Sequence, residues 1–267
     1  MSFTSLVPAG RERLASVTGQ RPIRVDFIRG MNPAIGSSDA VISRVGTISA
    51  YITTAGAFEV LSSSANNAAA GTGARTIQVK GLDASWNEFT ETVTLNGVTP
   101  VPLVNSSVFR INSAKVLTAG SGLKNAGNID IRTVTGSTVY KSIPSVAQAV
   151  GQDFDFLYTV PAGMIGVVTD LWISYYRIAG ATAGSMHFYI MNTNSAGVTN
   201  VGWGAGIINS PTANTSGGGH IDRTNLMLPV ASKETIDLRG FCEAAPSSNT
   251  PVRAHATIML FKDGFPY

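Results

Sequence analysis

The sequence predicts an all-β protein: two β-sandwich, jelly-roll-like domains preceded by an extended N-terminal arm. Three observations lead there. Short runs alternate apolar and polar residues with period two, the pattern of half-buried strands. No 3.6-residue apolar period of useful length occurs anywhere in the 267 residues. Charged residues make up only 13% of the chain, while its 28 glycines and many Ser, Thr and Asn residues supply turns and neutral polar surface.

The first segment, residues 1–20, reads as an arm. Residues 1–29 hold Arg11, Arg13, Arg21, Arg24 and Arg29 against Glu12 and Asp26, so the N-terminus is locally basic. Ile23, Val25 and Phe27 then alternate with Arg24 and Asp26 in a first strand, which the run from Gly30 to Ser38 interrupts. Further strands are expected at Val45–Thr53, Ala57–Ser62, Val108–Thr118, Asn128–Thr133 and Thr138–Ile143. Ser62–Ala70 carries an alanine run, but its Ser and Asn residues favour local side-chain to backbone bonds, so it reads as a loop.

The clearest strand pair spans residues 71–97. Ile77 and Val79 alternate with Gln78 and Lys80, and after a turn from Asp83 to Asn87, Phe89, Val93 and Leu95 alternate with threonines. Asn96–Gly97 suits the next tight reversal. Glu91 falls on the apolar side of the alternation, which calls for either a bulge or a partner.

Pro144–Gln152 breaks the pattern and sets the boundary between a first domain at 21–146 and a second at 147–267. In the second, Phe154, Phe156, Tyr158 and Val160 line one face before a Pro-Ala-Gly turn. Strands follow at Met164–Ile178, Met186–Asn192, Val198–Ile208, Asn225–Val230, Glu234–Cys242 and Pro251–Lys262. Their number and their Gly- and Asn-rich loops suit a two-sheet sandwich.

Composition excludes several classes. No apolar run approaches the roughly 20 residues of a membrane-spanning helix, and the opening residues lack the pattern of a secretory signal. The lone Cys242 rules out an internal disulfide and reads as a small buried hydrophobe. A net charge of +3 is too small to imply a nucleic-acid partner.

Signatures of catalysis are missing. There is no Gly-x-Ser-x-Gly elbow. His187, His220 and His255 are too widely spaced for a local metal motif. His220 and Asp222 can share a strand face, but Gly217–Gly219 beside them reads as flexible loop. Gly202–Gly206 has no following helix to complete a phosphate loop. Asp153 and Asp155, two positions apart on a strand, read as solvated charges rather than a glycosidase pair. Trp172 sits in an apolar strand and is expected in the core, which leaves Trp86, in a turn, and Trp203 as the candidate exposed aromatic contacts. No catalytic residue, metal or cofactor is assigned.

Gly73–Asp83, Asn87, Glu91–Gly97, Phe109–Val116 and Asn125–Arg132 resemble a β-rich module of tailed-bacteriophage virion proteins. Tyr158–Gly163 and Thr257–Phe261 look like the same group. The resemblance implies a non-enzymatic virion component, made in the host cytoplasm, that decorates or cements the capsid. Its implied partners are the major capsid protein or another virion protein and further copies of itself, a trimer by analogy. Arg11, Arg13, Arg21 and Arg24 are then the candidate partner contacts, and the second domain is expected to project outward. A tail, neck or baseplate component, a receptor- or carbohydrate-binding module, and a glycan hydrolase are the alternatives, in that order.

Overall fold

The structure is a computed structural model that describes residues 22–43, 52–145, 151–177, 185–208, 217–243 and 250–263. The arm at 1–20, Arg11, Arg13, Arg21 and most of the strand expected at Val45–Thr53 lie outside the described residues. All regular structure among the described residues is β.

The strands in chain order are β1 (Arg24–Ile35), β2 (Ala40–Val41), β3 (Phe58–Ser62), β4 (Ala74–Asp83), β5 (Glu88–Thr94), β6 (Val101–Pro102), β7 (Val108–Ala119), β8 (Ile129–Thr133) and β9 (Val139–Ile143). There follow β10 (Leu157–Thr159), β11 (Met164–Arg177), β12 (Met186–Thr193), β13 (Thr199–Ile208), β14 (Gly217–Val230), β15 (Thr235–Cys242) and β16 (Thr250–Lys262). Two pairs of antiparallel sheets result.

In one sandwich, the sheet β6-β3-β8-β9 faces the sheet β5-β4-β7. Phe58, Val60, Ile77, Val79, Val93, Ile129 and Ile131 fill the space between, as their period-two spacing requires. The β4–β5 ladder runs without a bulge from Thr76↔Thr94 to Leu82↔Glu88. Glu91 therefore has a partner instead: its carboxylate accepts the backbone N–H groups of Val104 and Asn105 at 2.8 and 2.7 Å.

In the other sandwich, sheet β1-β16-β11-β14 packs on sheet β10-β15-β12-β13, with β2 also paired to β15. β2 and β10 lie end to end along one strand. Ala40 and Val41 pair with Gly240 and Arg239, and Leu157, Tyr158 and Thr159 continue with Asp237, Ile236 and Thr235. Taken as two halves of a single strand, they complete eight strands whose sheet orders, renumbered along this sandwich, are 1-8-3-6 and 2-7-4-5. That interleaving of two Greek keys is a jelly roll. The chain leaves this strand after Ile42, builds the β3–β9 sandwich and returns at Phe156. An isolated bridge between Ser43 and Asp155 and a Phe156 N–H bond to the Ile42 carbonyl at 3.1 Å close the neck.

The topology corrects three expectations. β1, assigned from sequence to the first domain at 21–146, pairs with β16 from Arg24↔Leu260 to Ile35↔Thr250 and so forms an edge of the jelly roll. A local pattern reveals a strand but not its neighbour, and this neighbour lies over 200 residues away. β1 also runs through Gly30 to Ile35, absorbing the Pro33 region in a register shift rather than ending there. Gly217–Gly219, read as loop, opens β14, where the backbone pairs with Tyr175–Arg177.

The jelly-roll core joins Ile28 and Ile35 of β1 to Phe156, Tyr158, Leu171, Ile173, Phe188, Ile190, Leu238, Ile258 and Leu260. Cys242 is buried there, as expected for a packing residue.

Candidate assembly surface

Alternation along β1, β16, β11 and β14 turns Ile28, Ala254, Ala256, Leu171, Ile173 and Ile221 into the core. The intervening residues must face the other way. Register then places Arg29, His255, Trp172 and Asp222 in one row across the sheet, with Arg253, Ser174 and His220 in the next. Phe27, opposite Thr257, extends this face along the β1 edge and is 68% exposed.

Trp172 and His255 stack, with ring centroids 5.1 Å apart and planes 19° from parallel. Burial against the indole and the nearby Arg29 cation lower the His255 pKa, while Asp222 and Asp170 pull the other way. The lowered pKa favours the neutral imidazole, and the two rings form a stacked aromatic pair in the row between Arg29 and Asp222. Beyond it, Trp172, Ser174, Tyr175, Gly218, Gly219 and His220 line a shallow depression of about 300 Å³. Glycines on β14 leave this end of the face low. At the opposite end, a register shift between Val168 and Asp170 turns Val167 away from the jelly-roll core, where it joins the buried Ile165, Met259 and Phe261 and the partly buried Val25 in a small second cluster.

A second feature is the cleft between the sandwiches, about 270 Å³ in volume. Arg24 spans its mouth. Its guanidinium donates to Asp26 at 2.8 Å, to both Glu88 oxygens at 3.1 and 2.6 Å, and to the Tyr158 hydroxyl at 3.2 Å; that hydroxyl donates to Asp26 at 2.7 Å. Asn112 exchanges two bonds with the Thr159 backbone, and Ala162 N–H donates to the Trp86 carbonyl at 3.1 Å. Arg29 donates to the Gln152 side chain. Deeper still lie Asp153, Asp155 and Lys141. Asp26 and Glu88, the carboxylates at the cleft's mouth, are thus committed to Arg24 and Tyr158, an arrangement that ties two bodies together.

The sequence-predicted residues fare differently. Arg24 lies within β1, clasping the two sandwiches rather than standing on an arm. Trp86 has a positive φ of 66° in its turn, and its half-buried ring meets Phe109 edge-on at 4.9 Å with the Arg110 guanidinium at 5.1 Å. Trp203 packs on the jelly-roll core. The stacking tryptophan is Trp172, expected in the core. Its signal was present: Asp170 and Ser174, two positions away on either side, mark the polar face, while Leu171 and Ile173 mark the buried one. His220 and Asp222 do share a strand face, opposite Ser174 and Trp172. Asp153 and Asp155, read as solvated, are buried against Lys141. Among the described residues no group of three His, Cys, Asp or Glu side chains is placed to hold a metal ion.

Neither a protein-family model nor a curated protein matches the sequence. Similar solved structures include one of the infectious bursal disease virus Gx strain, at 12% identity over 99% of this chain and 79% of that one, with a TM-score of 0.28. Another is a mutant VP2 protein of infectious bursal disease virus in T=1 particles, at 10% identity over 97% and 80% of the two chains, with a TM-score of 0.24. Likeness this weak establishes neither common descent nor a shared activity.

Proposed function

We propose that this protein is a non-enzymatic structural component of a tailed-bacteriophage virion, decorating or cementing the capsid through repeated protein–protein contacts. The observation that carries this reading is the sheet face around the stacked rings of Trp172 and His255. Trp, His, Phe and Arg there combine a large rigid contact area with charged groups that fix orientation, the composition of protein interface centres. The stacked rings are already ordered, so docking costs little side-chain entropy. Low overall charge limits the desolvation cost of wide contacts, and exposed Val104 and Leu123, at 92% and 87%, offer further apolar points on the inserted sandwich. The jelly roll recurs in capsid and lectin domains, an analogy of fold that agrees with this role without determining it.

The shallow depression beside Trp172 favours one second reading, a carbohydrate-binding module on a tail or fibre, in which a sugar ring stacks on the indole.

Cryo-electron microscopy of the particle that contains this chain distinguishes them. Symmetric copies on the shell with the Trp172 face against a neighbour are expected. Copies confined to the tail support the second reading, and absence from the particle overturns both. In parallel, Trp172→Ala is expected to weaken particle binding without moving the unfolding midpoint, because the ring lies outside the core.

A further inference from the structure

Lys141 is among the largest fully buried side chains, with 0% of the residue exposed. It lies on β9, the last strand of the inserted sandwich, and points into the neck where the chain re-enters the jelly roll. Its ammonium has two acceptors among the described residues, Asp153 Oδ1 at 3.4 Å and the Asp155 carbonyl at 3.0 Å, for three N–H groups. A buried ion pair so sparsely bonded recovers little of its desolvation cost. Conversion to a neutral amide removes that cost.

The surroundings supply what such a conversion needs. The other oxygen of Asp153, Oδ2, accepts the Ala114 backbone N–H at 2.5 Å, an anchored donor on the oxygen that would carry negative charge during addition. Asp155 lies two residues on. Its carboxyl accepts from Ser43 Oγ at 2.5 Å and from the Ser142 N–H at 3.2 Å. Burial raises its pKa, with Lys141 opposing and Asp153 reinforcing the shift, a direction that favours uptake of a proton from the neighbouring ammonium. Asp153 and Asp155 also line the interdomain cleft, which gives a small leaving group a way out.

We propose that Lys141 and Asp153 condense spontaneously to an intramolecular isopeptide bond, with Asp155 as the proton-transfer group. Lys141 Nζ passes a proton through Asp155 to Asp153 Oδ1 and, as the free amine, attacks Cγ of the neutral acid. The N–C bond forms and the carbonyl electron pair moves onto Oδ2, held by the Ala114 N–H. When the pair returns, the Cγ–Oδ1 bond breaks. Oδ1 departs as water, carrying the two protons that Nζ gives up, one of them through Asp155. Ammonium plus carboxylate becomes amide plus water, with no oxidant and no cofactor. The bond would close the chain between residues 141 and 153 and lock the exit of the insertion to the body it re-enters.

The test is tryptic mapping of the full folded chain, with intact mass. Trypsin normally cuts after Arg132, Lys141 and Arg177. An amide on Lys141 blocks the middle cut, so the expected product spans residues 133–177 and is one water lighter than its sequence, as is the intact protein. Peptides 133–141 and 142–177 at full mass overturn the proposal. Cleavage after Lys141 with the water missing from 142–177 overturns it equally, because that is a succinimide. Asp155→Asn is expected to leave β-sheet circular dichroism unchanged while restoring cleavage after Lys141. Undiminished cross-linking in Asp155→Asn refutes the assigned proton transfer.

Discussion

Substituting Gly30 tests the central topological statement, that β1 belongs to the jelly roll and crosses the neck of the insertion. A Cβ at Gly30 would lie 2.2 Å from the Ile42 carbonyl oxygen and 2.6 Å from Phe156 Cβ. Neither neighbour can retreat cheaply. Ile42 N–H donates to Leu238 and its carbonyl accepts from Phe156, while Met31 N–H donates to Phe154 at 3.0 Å. Ile42 and Phe156 are both fully buried. Overpacking a rigid site typically costs 1–3 kcal/mol, and obstruction by backbone on one side places Gly30→Ala at the upper end, about 3 kcal/mol. At about 2–4 °C per kcal/mol for chains of this size, the jelly-roll transition in a thermal melt is expected to fall by roughly 6–12 °C. Gly36→Ala is the control: its added Cβ meets nothing within 4 Å, and reduced unfolded-state entropy makes it neutral or stabilising by up to about 1 kcal/mol. An unchanged melt for Gly30→Ala would refute the placement of β1 against the neck.

Three further outcomes follow from particular contacts. Glu88→Gln is expected to cost about 0.2–1 kcal/mol, measured in a double-mutant cycle with Arg24→Ala, and the coupling should shrink with added salt because both side chains are about a third exposed. His255 has a lowered folded pKa, so the unfolded chain takes up its proton first; its contribution to stability is present above about pH 6.5 and is lost as pH falls through that value toward the folded pKa. His255→Gln should flatten that part of the stability profile in urea titrations, and an unchanged profile would sink the assignment. Cys242, 6% exposed in the core, should react with a thiol reagent only on unfolding, so rapid labelling of the native protein would contradict its burial.

Much of the strand content was legible locally. The hairpin around Asp83–Asn87 appears as read because alternation and turn chemistry act over a few residues. So do the strands from Met164 and Met186 and the last one, ending at Lys262. Glu91 was legible as an anomaly, but only the fold supplies its partner, the backbone of Val104 and Asn105. Trp172 was misassigned because hydrophobicity outweighed the phase given by Asp170 and Ser174.

By itself, then, the sequence determined an all-β chain with its turns and most of its strand phases, since period-two burial and the preferences of Gly, Asn and Asp are properties of neighbouring residues. Tertiary structure decided which strands pair. It placed β1 beside β16, split one jelly-roll strand to admit a second sandwich, and set Lys141 against Asp153 and Asp155 at the neck. Those choices depend on contacts between residues far apart in the chain. Their loop-closure cost and shared core are properties of the whole fold, which no local window contains.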